Sequence, residues 1–293
     1  MKLATKTGDF NAYTNSQIDS LKLLRKAGFK YADYTFHFDY CTRSGVYSND
    51  YEKYVKDVKR TAETIGIKMV QAHSSLGKPL EDDDGQFLLD TLRCVDACGA
   101  WGIPNLVVHT GYRKGLTKEQ TFDENKKFFQ PILERAEKYG VNILAENFNV
   151  MWREGVYWID NATDLLSFIE YVNHPLMHVV WDVGHANLQP MNQEQEIKLL
   201  NKHVLALHIQ DNDGISDLHQ LPFLGTLNMD SVMHGLENIG YKGYFTFEVG
   251  ETFTPPDKKR QYSKDNRLLK APLEIKMAVE RLLYDIGKYV LTS

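Results

Sequence analysis

An apolar run, Val179-Val180-Trp181, stops at an acid, Asp182, and His185 follows across Gly184. A carboxylate at the end of a buried strand is costly unless it is paired or bound to a cation. Gly184 permits the tight turn that brings His185 back beside Asp182. Taken alone, Asp182 reads equally well as a cap on the helix that follows. Other apolar stretches end the same way, at His73, His109, Glu146, His208 and Glu248. A lone histidine in such a place is more often a hydrogen-bonded structural residue, and a lone acid more often a cap or an ion pair. If these ends meet, the crowd of carboxylates repels itself unless a cation lies among them. Mixed carboxylate and imidazole donors suit one divalent ion such as Mn, Mg, Co or Zn. A site holding several zinc ions is left open.

Convergence depends on the elements that carry these residues. Strand-like stretches fall at 3–6, 31–38, 68–72, 105–108, 141–145, 179–181, 204–207 and 244–247. Helical periodicity covers 16–27 and 51–65, closed by Gly28 and Gly66, and 85–98, closed by Gly99. It continues over 118–139 with Pro131 at a kink or break, then 193–202 and 268–289. Strands alternating with helices imply a parallel sheet, and this many units close into a (β/α)8 TIM barrel, here one domain over 1–293. An open doubly wound sheet ranks lower, because no Gly-x-Gly-x-x-Gly follows an early strand. A barrel delivers every strand's C-terminal end to one mouth. Three loops would lie there: 149–157, with Met151, Trp152 and Tyr157 as a lid or substrate wall; 210–227, with Asp211, Asp213, Asp217 and His219; and the charged 251–267.

The chain has 293 residues, 43% hydrophobic and 25% charged, as soluble globular proteins do. No apolar run approaches the ~20 residues of a membrane helix. The start, Met1-Lys2-Leu3-Ala4-Thr5-Lys6, lacks a secretory apolar core, so a cytoplasmic protein is expected. A net charge of -5 argues against nucleic acid as the main partner. Of the cysteines Cys41, Cys94 and Cys98, the last two share a helix face and read as buried free thiols. No glycine-rich phosphate loop is present, which points to an unphosphorylated substrate.

The set His73, His109, Glu146-Asn147, Asp182-x-x-His185, His208-x-x-Asp211, Asp217-x-His219 and Glu248 resembles the sugar phosphate isomerase/epimerase superfamily, the xylose isomerase-like barrels. The resemblance covers nearly the whole chain. Its most specific part is Leu207-His208-Ile209-Gln210-Asp211-Asn212-Asp213-Gly214, with Asp217-Leu218-His219 and Gly225 beyond. Similarity to ketose 3-epimerases implies that Glu146, Asp182, His208 and Glu248 hold one divalent metal. It also implies that Glu146 and Glu248 exchange protons with a sugar, and that His185 contacts a hydroxyl. His73, His109, Asp217, His219 and Trp152 are expected to complete the substrate site. The expected activity is isomerisation or epimerisation next to a carbonyl, through an enediolate, on a small sugar or sugar derivative; homo-oligomerisation is open. The endonuclease IV family shares this barrel, and its three-zinc ligand set maps onto His73, His109, Glu146, Asp182, His185, His208, Asp217, His219 and Glu248. Abasic-site cleavage is therefore the rival, against which stands the lack of a basic cluster at the mouth apart from Lys258-Lys259-Arg260. A lyase or glycoside-cleaving enzyme using the same enediolate chemistry, and a sugar-binding barrel with a dead site, are further alternatives.

Overall fold

The structure is a computed structural model and describes residues 1–149, 159–250 and 271–293. Its strands are β1 (Lys2–Lys6), β2 (Tyr31–Thr35), β3 (Lys68–His73), β4 (Asn105–Val107), β5 (Asn142–Glu146), β6 (Met177–Asp182), β7 (Val204–His208) and β8 (Tyr244–Phe247). All ladders are parallel, in the order β7-β6-β5-β4-β3-β2-β1-β8. The remaining gap between β7 and β8 is closed by a bridge from Ile209 to Phe247, with Ile209 N donating to Thr246 O at 2.8 Å and Glu248 N to Ile209 O at 2.9 Å. This is the (β/α)8 barrel that the strand–helix alternation requires.

The helices are α1 (Gln17–Ala27), α2 (His37–Thr42), α3 (Tyr51–Ile65), α4 (Gln86–Trp101), α5 (Lys118–Glu137), α6 (Ala162–Val172), α7 (Val183–Asn187), α8 (Gln193–Leu200), α9 (Met229–Asn238) and α10 (Leu273–Thr292). Local chemistry starts several of them: the side chains of Ser16, Asn161, Asn192 and Asn228 each accept a backbone N–H of the first turn, and Thr117 with Gln120 forms a capping box. None of the described helices is long and apolar enough to cross a membrane.

Four expectations change. The second strand stops at Thr35 rather than running to 38, because α2 turns Asp39 inward to accept the Tyr34 hydroxyl at 2.8 Å. Helix α4 continues past Gly99 to Trp101; Gly99 is there because a Cβ would sit 2.4 Å from the Tyr139 ring, while Gly102, in the left-handed region, ends the helix. Helix α5 runs through Pro131 unbroken. No helix is expected above at 162–172 or 229–238, yet α6 and α9 fill both spans behind asparagine caps, burying Leu165, Phe168, Ile169 and Val172 on one and Met229, Val232 and Leu236 on the other.

Two packed regions hold the barrel. The larger lies between strands and helices; the smaller, Val107, Leu144, Val180 and Ala206, plugs the interior. Strand side chains alternate faces, so the residue two further on also points inward. Two beyond the plug come His109, Glu146, Asp182 and His208. The same step on β1, β2, β3 and β8 leads from Ala4, Asp33, Gln71 and Thr246 to Lys6, Thr35, His73 and Glu248. The candidate residues form one layer because the strand pleat and the plug beneath them leave no other direction.

One buried charge outside this layer affects stability. Glu280 on α10 is fully buried, with Lys276 Nζ 3.4 Å from Oε2. Burial, reinforced by Asp9, pushes its carboxyl from 4.5 up to about 8 against the pull of Lys276. The folded chain therefore holds this proton more tightly than the unfolded one. The resulting stabilisation is fully present in acid and is lost as pH rises through about 8. Glu280→Gln keeps the shape without the titration. Thermal unfolding at pH 6 and pH 9 should show the variant losing less stability over that interval, by on the order of a few kcal/mol. Parallel losses in both proteins would refute the assignment.

Candidate active site and metal centre

Glu146, the last residue of β5, lies at the middle of the mouth. His208 Nδ1 is 2.8 Å from its Oε1 and His109 Nε2 is 2.7 Å from its Oε2. His73 Nε2 stands 3.0 Å from His109 Nε2 and 3.6 Å from Glu146. His208 Nδ1 also lies 3.3 Å from Glu248 Oε2, so the two glutamates flank one imidazole nitrogen. Behind the ring, Asp33 Oδ2 is 3.3 Å from His208 Nε2 and accepts the Gln71 amide at 2.8 Å. The Gln71 amide nitrogen also lies 2.8 Å from His208 Nε2, so Asp33 and Gln71 together hold the ring with Nδ1 facing the site. Strand pattern reasoning missed Asp33 and Gln71. Their signal was an acid inside the aromatic run Tyr31-Ala32-Asp33-Tyr34.

Asp182 both caps and faces the site. Its Oδ1 accepts His185 N at 2.7 Å, starting α7, so the helix-cap reading of the sequence holds. Its Oδ2 is buried and has no hydrogen-bond partner among the described residues, the nearest charge being His185 Nδ1 at 3.6 Å. Asn147 holds the strand end by pairing its amide with Asp182 N at 2.8 Å and O at 2.9 Å. Gly184 is required because a Cβ there would lie 2.0 Å from the side-chain carbon of Gln210, whose amide donates to Asp182 at 3.3 Å. His185 packs against Phe148, with Nδ1 2.9 Å from Asn147 O and Nε2 3.5 Å from Asp217. His219 Nε2 is 3.2 Å from Asp217, and its Nδ1 is 3.0 Å from Glu248 O.

The charge balance is tense. Burial alone raises Glu146, but His208 and His109 outweigh it and hold the carboxyl well below its usual range. Burial works the same way on Glu248, where Lys6, His208 and His219 prevail. Asp182 finds too little compensation: burial, with the charges of Glu146 and Glu248, pushes it up to about 7. His208 is held well above its usual value by those two glutamates despite burial, whereas burial drives His73 down to about 3.

Three donor groups have their ligand atoms within 4.8 Å of one another: Glu146, Asp182, His208 and Glu248; His73, Glu146 and His208; and His185, Asp217 and His219. The first is buried and contains Asp182, whose Oδ2 lacks a hydrogen bond among the described residues and whose carboxyl is raised by burial and then by Glu146 and Glu248. A divalent cation fits there: it would give Asp182 Oδ2 a partner and neutralise three crowded carboxylates. The structure brings His73, His109, Glu146, Asp182, His185, His208, Asp217, His219 and Glu248 to this mouth, while Met151, Trp152 and Tyr157, with most of the 149–157 loop and the whole of 251–267, lie outside the described residues. Asp211 is buried but organises its loop, accepting Asn212 N, Leu227 N and Gly225 N at 2.8, 3.0 and 2.9 Å. Gly225 belongs to that loop because a Cβ would lie 2.1 Å from Asn212 O. Cys94 and Cys98 are buried free thiols.

Fold and site together define a parallel barrel whose strand ends bear a mixed imidazole–carboxylate cluster. Residues 21–271 match the family model of the xylose isomerase-like TIM barrel, and the chain belongs to that family. It is 29% identical over 194 residues to the uncharacterized protein MJ1311 of Methanocaldococcus jannaschii, which spans 63% of each protein. It is 24% identical over 261 residues to the 2-oxo-tetronate isomerase of Haemophilus influenzae, covering 84% of this chain and 93% of that one. The D-psicose 3-epimerase structure from Clostridium cellulolyticum H10 superposes with a TM-score of 0.75 at 15% identity, over 99% of both chains.

Proposed function

We propose that this chain is a divalent-metal-dependent isomerase or epimerase of sugars or sugar derivatives, moving a proton next to a carbonyl. The observation that carries the reading is the pair Glu146 and Glu248, both within 3.3 Å of His208 Nδ1 and both kept ionised by their neighbours. The relatives named as an isomerase of 2-oxo-tetronate and an epimerase of D-psicose support the same class. Glu146, Asp182, His208 and Glu248 would hold a divalent cation, which when bound would supply Lewis-acid polarisation of a substrate oxygen, on the order of several kcal/mol. The rest falls to the chain's own groups. One glutamate removes the proton from the carbon beside the carbonyl. For epimerisation the other returns a proton to the opposite face; for isomerisation the proton returns to the neighbouring carbon. His185, anchored through Asn147 O, and the pair Asp217–His219 orient hydroxyls.

A second reading has its own observation. The group His185, Asp217 and His219 completes the donor set that the endonuclease IV family uses for several zinc ions. The two readings part in one assay. Metal-loaded protein incubated with ketoses and keto-acids in deuterium oxide should wash out one carbon-bound proton beside the carbonyl, seen by proton NMR. Intact protons on every sugar, together with cleavage of a duplex carrying an abasic site, would transfer the chain to the nuclease reading.

A further inference from the structure

Helix α10 carries two apolar faces where a helix on the outside of a barrel needs one. Its inner face, with Met277, Val279, Leu283 and Val290, belongs to the core. Its outer face carries Ile275, Leu282 and Tyr289, which are 47%, 54% and 64% exposed. Residues seven apart differ by only ~20° around a helix, so these three stand in one row about 21 Å long. Ala278 and the half-buried Ile286 fill the gaps between them. The row continues beyond the helix. The Tyr289 ring meets that of Phe223, with centroids 6.3 Å apart, and Leu224 follows, both more than half exposed. Leu89 on α4 and Leu199 on α8 are also exposed, but each stands on a helix of its own, which is ordinary for a protein surface. A continuous row is the mark of a surface that another molecule covers.

The charges beside the row say which molecule. Glu274, Arg281, Asp285 and Lys288 are all exposed and alternate in sign along the chain. Around the helix they lie about 60–120° from Leu282, all on the same side. Read backwards, acid-base-acid-base becomes base-acid-base-acid. A second α10 laid antiparallel about Leu282 therefore sets Glu274 against the partner's Lys288 and Arg281 against the partner's Asp285, each pair occurring twice. The apolar row obeys the same centre: Ile275 meets the partner's Tyr289, and Leu282 meets its own copy. The midpoints of all these pairs fall within one residue of Leu282. A twofold contact demands a surface that complements itself in this way. A membrane surface would ask instead for a predominantly basic edge.

We propose that two copies of this chain associate through α10, antiparallel about Leu282, with Phe223 and Leu224 at the rim of the contact. The contact then reaches the 210–227 loop, which also carries Asp217 and His219 at the barrel mouth. The inference stands apart from the reaction assigned to that mouth.

Sedimentation velocity on the full chain, from roughly 1 to 100 µM, tests it. The sedimenting species should have twice the 33.7 kDa mass of the chain. Leu282→Glu changes an exposed residue, so circular dichroism and melting should stay as in the parent. It should weaken association by at least about a hundredfold, because the axis brings two carboxylates into one apolar contact. Glu274→Lys and Lys288→Glu should each weaken it about tenfold or more, since each sets like charges against one another twice. Mixed in equal amounts, these two variants should associate again to within about threefold of the parent, because each chain offers the charge the other needs. Lys288 also lies 3.6 Å from Asp285 of its own helix, but that loss persists in the mixture and cannot imitate recovery. A chain that stays monomeric over the whole range overturns the proposal and leaves the face to a different partner. A dimer indifferent to Leu282→Glu overturns it as well, and so do charge variants that fail to recover on mixing.

Discussion

Glu146→Gln and Glu248→Gln will each lower turnover by about 10²–10⁴, the range for losing a positioned acid or base. The two variants are not equivalent, and their difference is informative. Glu146 is buried and accepts from His109 and His208, so replacing it also disturbs two imidazoles. That loss costs about 1–3 kcal/mol for a buried polar group left unsatisfied. Glu248 borders a cavity and meets Lys6, so its variant should fold almost unchanged. Deuterium wash-in then separates the two chemistries. If protons move on opposite faces, each single variant stops net epimerisation but still exchanges the hydrogen presented to the surviving glutamate. Starting from each of two epimers shows which face belongs to which residue. If one glutamate does all the work, only its variant stops exchange. A folded variant of either kind that turns over at the wild-type rate would remove that residue from the mechanism.

The site was legible from sequence where its chemistry coincides with a strand end. His73, His109, Glu146, Asp182, His208 and Glu248 stand out because an apolar run stops at each, and a closed barrel sends all such stops to one place. Asp33 and Gln71 were hidden for the opposite reason. They lie inside strands, where a polar residue reads as an outward-facing one unless the barrel interior is known. Lys6 was hidden by its type, since a lysine at a strand end reads as solvated; only the β8 ladder beside it shows that it faces Glu248. Among the elements, α3 and β8 were read to the residue because glycine and aromatic signals bound them. The starts of α6 and α9 are written only in their asparagine caps, Asn161 and Asn228, with no glycine or proline directly beside them.

Removing divalent ions from the purified chain will abolish proton exchange and lower its melting temperature. Glu146, Asp182 and Glu248 share a buried cluster with one imidazole, where burial first and the other two carboxylates second push Asp182 up to about 7. A ligand present at a thousand times its dissociation constant stabilises the fold by about 4 kcal/mol. For a chain of this size that corresponds to a fall of roughly 7 °C on chelation. Restoring Mn, Co, Mg or Zn singly should recover both properties to different degrees, which identifies the working ion. The stoichiometry decides more. If the buried set of four is the working centre, metal analysis gives one tightly held ion per chain, lost in Asp182→Ala and kept in Asp217→Asn. Asp217 joins His185 and His219 but not the set of four, so it probes the second donor group without touching the first. Two or three zinc ions per chain, falling by one in Asp217→Asn, would mean that the second group is also a metal centre. The phosphodiester reading would then gain weight over the sugar one, because clamping a phosphate between attacking and leaving oxygens uses more than one ion.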